Sequence, residues 1–301
     1  MAIRIRFMPT SYNLAMKAIT VAANGLNFTC LSEGTGPLVL LLHGFPDRAD
    51  SWAPIMAGLA DAGFRAVAPY MRGYHPTEIP SDGDYRVPTL GRDALALITA
   101  LGEESAAVVG HDWGASVAYA AANLGPEKVS RLVTLAIPHP RILKPSLGVL
   151  LRARHFTVFQ FGALARWYTR RNDLAYIDYL YRYWSPTWPD PQAHIDAIKE
   201  DFRRPGRLEA ALGYYAAMSD SIKKNADNKA ITGRTSQPSL VFVGDDDGAL
   251  RFESDFAGIE GCFTGGLRLI KVPGAGHFIP AEKPDAVLAE LVPFLKGEHD
   301  G

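Results

Sequence analysis

The stretch AAVVGHDWGASVAYAA, residues 106–121, decides the reading of this 301-residue chain. An apolar run with the look of a buried strand enters Gly110-His111-Asp112-Trp113-Gly114, and an alanine-rich helical pattern follows at once. Two glycines around a central side chain permit a crowded turn that lifts that side chain above the end of a sheet. The side chain so placed is Asp112. A carboxylate held there can displace a leaving group at an alkyl carbon and form an ester.

Working outward, short apolar runs of the same kind recur: LVLLL (38–42) and FRAVAP (64–69) before it, RLVTLAIP (131–138), SLVFVG (239–244) and LRLIKVP (267–273) after it. Gly, Pro or Asp bounds each, and helical patterns at 52–62, 88–101, 114–124 and 284–296 alternate with them. Continuous apolar strands alternating with helices predict an α/β fold whose mostly parallel sheet has helices on both faces. Ahead of these, ITVAANGLNFTCL (19–31) has two β-rich arms about Asn24-Gly25, a pair suited to the positive φ angles of a two-residue hairpin.

Residues 139–226 break this rhythm. They hold 14 of the chain's 31 aromatic residues, and 14 Lys and Arg against 8 Asp and Glu, leaving 17 against 24 elsewhere. The formal net charge of −1 therefore hides a segment at +6 and a remainder at −7. ALARWYTRRNDLAYIDYLYRYW, AHIDAIKEDF and RLEAALGYYAAM read as helices, and SPTWPDP as a loop. The expected division is a core of 1–138 and 227–301, with 139–226 a helical cap above the carboxyl ends of the strands, where open α/β sheets bind ligands.

Composition excludes several classes. With 31 Lys and Arg against 32 Asp and Glu there is no positive surplus to hold a phosphate backbone, so no nucleic acid partner is expected. Cys30 and Cys262 are too few for a disulfide framework and lack C-x-x-C spacing. The histidines form no H-x-x-x-H pair, and no G-x-G-x-x-G or Walker loop follows a strand; neither a metal nor a cofactor is expected. Pro9, Asn13 and Lys17 interrupt any signal-like run, and PLVLLL (37–42) is far below spanning length. The expectation is a soluble, cytoplasmic protein with no membrane partner, monomeric or homodimeric.

Through H-G-F-P (His43 to Pro46), G-H-D-W-G-A (110–115), G-D-D-D-G (244–248) and G-A-G-H-F (274–278), in that order, the chain resembles the α/β-hydrolase superfamily over essentially its whole length, and its epoxide hydrolases most. The resemblance implies an eight-stranded sheet with an inserted α-helical lid, and a cofactor-independent reaction between an apolar or aryl epoxide and water that gives a vicinal diol through an ester on Asp112. Asp112 takes the place that serine has in esterases and lipases. In the family pattern G-x-x-D the triad acid falls on Asp247, with Asp246 the alternative, and the base on His277. The backbone N–H groups of Phe45 and Trp113 correspond to an oxyanion hole, and His43 to a brace for its loop.

Opening an epoxide leaves a strongly basic alkoxide, so a neutral donor must meet the oxygen as the C–O bond breaks; a phenol is suited to this. By resemblance one such group is Tyr215 in LGYYAAM (212–218), with Tyr214 competing by one position and Ala216 standing where relatives carry Arg. The other falls on His155 when RHFTVFQFG (154–162) is registered on Gln160, or on Phe156 if the register slips by one. Trp113, Tyr214 and Phe156 are the expected substrate contacts. Apart from epoxide hydrolysis, the alternatives are haloalkane dehalogenation and a receptor of this fold without turnover. Phe45 stands where related dehalogenases carry a polar donor, Trp113 stands where fluoroacetate-type relatives carry Arg, and the intact Asp112, Asp247 and His277 set speaks against a receptor.

Overall fold

LVLLL is buried at every position, which a strand can satisfy only when both faces of its sheet are covered. In the computed structural model, which describes residues 16–143, 152, 154–223 and 230–298, it is one of eight strands in a single sheet. These are β1 (Lys17–Ala23), β2 (Leu26–Glu33), β3 (Leu38–Leu42), β4 (Arg65–Pro69), β5 (Ala106–His111), β6 (Val129–Leu135), β7 (Ser239–Gly244) and β8 (Leu267–Val272). Their order is β1-β2-β4-β3-β5-β6-β7-β8. Only β1 with β2 and β2 with β4 pair antiparallel; every other pair is parallel.

Asn24 and Gly25 take φ of 44° and 78° and close the β1–β2 hairpin, with Ala23 opposite Leu26. Helices α1 (Ala53–Asp61), α2 (Val87–Ala100), α3 (Trp113–Leu124) and, after β8, α8 (Pro284–Leu295) follow the predicted patterns closely. One strand is shorter than its apolar run suggests: β6 stops at Leu135 because Ala136 turns to φ 68°.

Between β6 and β7 lie α4 (Arg154–Phe159), α5 (Ala163–Trp184), α6 (Gln192–Arg203) and α7 (Arg207–Lys223). The expected boundary at 226/227 and most of the N-terminal stretch lie outside the described residues. α5 is broken at Arg171–Leu174, where Asn172, Asp173 and Leu174 all have positive φ. The end of α5 locks onto the core: the Tyr181 hydroxyl donates to the Pro46 carbonyl (2.5 Å), and its ring stacks on Phe278 at 4.0 Å.

Candidate active site

The carboxyl ends of β3, β5, β7 and β8 deliver Phe45, Asp112, Asp247 and His277 to one edge of the sheet. Asp112 caps α3 with φ 52° and ψ −116°, a strained conformation for a residue with a side chain. The turn tolerates no larger neighbours. A methyl group at Gly44 would strike the Asp112 side chain, and one at Gly114 would strike the Leu42 carbonyl.

Asp112 Oδ1 accepts the Phe45 N–H at 2.8 Å, while Oδ2 lies 3.5 Å from His277 Nε2. The other expected amide, that of Trp113, makes no hydrogen bond to the carboxylate in this state. His277 Nδ1 is 2.8 Å from Asp247 Oδ2, and Asp247 Oδ1 accepts the N–H groups of Ala249 and Leu250. Asp246 is exposed, and Asp245 pairs with Lys271. Of the three consecutive aspartates, only Asp247 reaches the histidine. His43 accepts the Met71 N–H through Nε2 and sits 3.0 Å from the Gly44 carbonyl through Nδ1, bracing the Phe45 loop.

The electrostatics follow from this line of charges. Burial works against a protonated His277, but Asp247 and Asp112 on either side outweigh it and raise its pKa to about 10. Burial likewise opposes an ionised Asp112, and His277 with the Phe45 N–H holds it below its ordinary range. At neutral pH the imidazolium therefore sits between two carboxylates.

The insertion supplies the other wall. Tyr215 is buried, and its hydroxyl donates to no acceptor among the described residues, the Trp113 indole being the donor beside it. Burial and the Asp112 carboxylate push the phenol well above its usual range, so it keeps its proton. Tyr214 is engaged elsewhere: its hydroxyl donates to the Arg72 carbonyl at 2.8 Å, leaving its ring to pack on Trp113. His155 lies edge-on to Tyr215 with ring centroids 5.8 Å apart, and burial drops its pKa to about 3, leaving a neutral imidazole. Phe156 faces Tyr215 at 5.2 Å, and Trp113 does so at 5.0 Å.

Several residues of the site escaped the sequence reading. The Trp184 ring lies between His155 (4.6 Å) and His277 (5.0 Å), and its buried indole N–H has no partner among the described residues. The carbonyl of Trp184 accepts the N–H groups of His277 and Gly248, so one residue touches both the histidine and acid loops. Next to it, Ser185 Oγ accepts from the His277 and Phe278 N–H groups and donates to Glu282, which also accepts the Gly276 N–H. Asp47 joins His194 of α6 (3.1 Å) to His111 beneath the nucleophile (3.7 Å), and these histidines hold its carboxylate low despite burial. Tyr74 adds a second buried phenol without a hydrogen-bond partner among the described residues, and burial, with Tyr215 and Asp112 nearby, pushes it well above its usual range. No local motif marks Trp184, Ser185 or Tyr74, because each acquires its place only through tertiary contacts.

Comparison with known proteins identifies the family to which this fold belongs. The family model described as alpha/beta hydrolase fold matches residues 37–284. The chain is 31% identical over 291 residues to the AB hydrolase superfamily protein YfhM of Bacillus subtilis (strain 168), covering 94% of this chain and 99% of the relative. It is 30% identical over 320 residues to an epoxide hydrolase of Caballeronia sordidicola, covering 93% and 94%. Among solved structures, an epoxide hydrolase from an endophytic Streptomyces superposes with a TM-score of 0.80 at 28% identity, covering 95% of this chain and 97% of that one.

Proposed function

The chain belongs to the α/β-hydrolase fold family and within it to the epoxide hydrolases, and from that membership we propose that it adds water to an apolar or aryl epoxide, giving a vicinal diol through an alkyl ester on Asp112. One observation carries the reading. Asp112 has Oδ1 held by an N–H and Oδ2 directed at His277, while the hydroxyl of the protonated Tyr215 donates to no acceptor among the described residues.

In this scheme Oδ2 attacks an oxirane carbon from behind, and the departing oxygen takes the Tyr215 proton, with the neutral His155 as a second donor. Residues 139–226 act as the lid that carries both donors. Ester formation removes the charge of Asp112, one of the two supports for the raised pKa of His277. The histidine then releases its proton, which balances the one Tyr215 has given, and becomes a base. It next accepts a proton from water attacking Cγ, while Oδ1 carries the negative charge of the tetrahedral intermediate against the Phe45 N–H, with the Trp113 N–H as a second donor once the site tightens. Collapse breaks the ester bond, the leaving alkoxide takes the proton of the hydroxyl that water added to Cγ, and the diol departs with Asp112 ionised and His277 protonated again. The Phe45 side chain offers no N–H to a halide; its ring packs on Phe159 and Tyr215, which favours the epoxide reading over dehalogenation.

The test is to replace His277 by Gln, incubate the protein with an aryl epoxide and measure its intact mass. A mass gain equal to the whole epoxide, located on Asp112, is expected. Absence of the adduct, together with halide release from a chloroalkane by the unaltered protein, sinks the proposal.

A further inference from the structure

The first turns of α5 are inside out. Ala165 and Thr169 are buried, while Leu164 and Trp167 are each 57% exposed and Tyr168 is 41% exposed; Phe161, just before the helix, is 60% exposed. These four are among only six large apolar side chains that are exposed in the described residues. Positions 164, 167 and 168 fall on one helical face, and Phe161 lies in the turn that precedes it. A helix of a soluble domain ordinarily buries such residues and exposes the small ones. Arginines rim the stripe: Arg166, Arg170 and Arg171 on α5, and Arg154 on α4, all exposed. Arg171 lies 4.8 Å over the Trp167 ring. The nearby acids are engaged, Glu209 with Arg170 and Asp173 with Arg203.

The break in α5 opens a cleft of about 520 Å³ beside this face, lined by Arg154, Tyr168, Arg171, Tyr176 and Tyr179. Its inner wall leads toward the site, since Tyr176 packs on Phe159 at 5.8 Å and Phe159 packs on Tyr215 at 4.8 Å.

We propose that this face docks on the surface of an anionic lipid bilayer, with the Phe161, Leu164, Trp167 and Tyr168 side chains at headgroup depth and the arginines on lipid phosphates. Trp, Tyr and Leu backed by Arg is the composition of a helix that lies in a membrane interface. A second copy of the chain fits less well, because a symmetric contact would set these arginines against one another. The charge division orients the molecule: the +6 segment faces the lipid and the −7 remainder faces away. Among the described residues no helix is long and apolar enough to cross a membrane, so the contact lies on the surface. This contact goes beyond the sequence expectation of no membrane partner. Docking in this way turns the cleft toward the phase in which an apolar epoxide dissolves, but the contact itself does not depend on the proposed reaction.

The test is co-sedimentation of the full chain with vesicles of phosphatidylcholine alone or mixed with phosphatidylglycerol, at low and high salt. Binding to the mixed vesicles at low salt is expected, with a blue shift of tryptophan fluorescence that Trp167→Phe abolishes. Arg166→Glu and Arg171→Glu should each weaken binding by roughly fivefold or more, and Leu164→Ala should weaken it with little salt dependence. All four positions are exposed, so circular dichroism should show the fold intact. The proposal falls if neither vesicle binds, if binding survives all of these changes, or if the chain is a dimer that Trp167→Phe or Leu164→Ala dissociates.

Discussion

The two walls of the site hold their polar atoms differently. On the core side the acid and the nucleophile are anchored by hydrogen bonds: Asp247 uses both oxygens, Asp112 Oδ1 has the Phe45 N–H, and both His43 nitrogens are engaged, while His277 Nε2, His111 Nδ1 and the Tyr74 hydroxyl make no hydrogen bond among the described residues. On the insertion side two side-chain donors wait: Tyr215 Oη and Trp184 Nε1 are buried and donate to no acceptor among the described residues, and the rings that carry them are held by aromatic packing. A buried donor without a partner costs about 1–3 kcal/mol. The core thus settles the charge of the resting state, and the insertion holds a deficit that a ligand oxygen or a water can relieve.

Asp112→Asn tests the core wall most severely. It removes the attacking carboxylate, and turnover of an aryl epoxide should fall by roughly 10⁴-fold or more. It also strips His277 of one flanking charge, so the imidazole, now raised to about 10, should titrate lower. A histidine NMR titration that finds no downward shift would break the coupling between nucleophile and base.

On the insertion wall, Tyr215→Phe should lower kcat for an aryl epoxide by roughly 10²–10³-fold, the range seen when a single donor to a developing oxyanion is lost. Stopped-flow traces should place the loss in ester formation, whereas His277→Gln spares that step. His155→Ala separates two versions of this wall: an equal loss means that the donors work as a pair, and a small loss leaves the phenol to act alone. Trp184→Phe keeps most of the ring packing between the two histidines but deletes the N–H, and a fall of roughly tenfold in kcat is expected. No change in single-turnover rates would mean that its packing is all that matters.

The contrast also explains what the sequence could reveal. The core wall lies at strand ends where Gly-rich turns force local geometry, so GHDWG, GDDDG and GAGHF stand out as motifs, and the resemblance to the family pattern G-x-x-D points to Asp247 with Asp246 as the alternative. The insertion wall sits on helices, where spacing shows which face is apolar but not what that face meets. Tyr215 and His155 came from resemblance, and Trp184 came from neither. The outward face of α5 was invisible for the same reason: Leu164, Trp167 and Tyr168 look like core residues in a helical pattern, and only the fold shows that Ala165 and Thr169 take the inside.

The smallest effect is expected where the two walls are joined. Ser185, at the end of α5, accepts from the His277 and Phe278 N–H groups and donates to Glu282 at 2.5 Å. In Ser185→Ala, His277 N–H keeps the Trp184 carbonyl and Glu282 keeps the Gly276 N–H, so the histidine loop loosens without falling away. A loss of about 1–2 kcal/mol follows, or a few degrees in Tm for a chain of this size. The loss should depend on pH. Burial raises the pKa of Glu282 above its ordinary 4.5, so its ionisation weighs against the folded state once pH passes 4.5. The Ser185 hydroxyl is one of the groups that offsets this, and removing it raises the folded pKa further. The Tm difference between Ser185→Ala and the unaltered protein should therefore be larger at pH 7 than near pH 4, where the carboxyl is protonated in both states. A difference that does not vary with pH would mean that Ser185 acts only through the loop N–H groups, and that the walls are joined by the backbone alone.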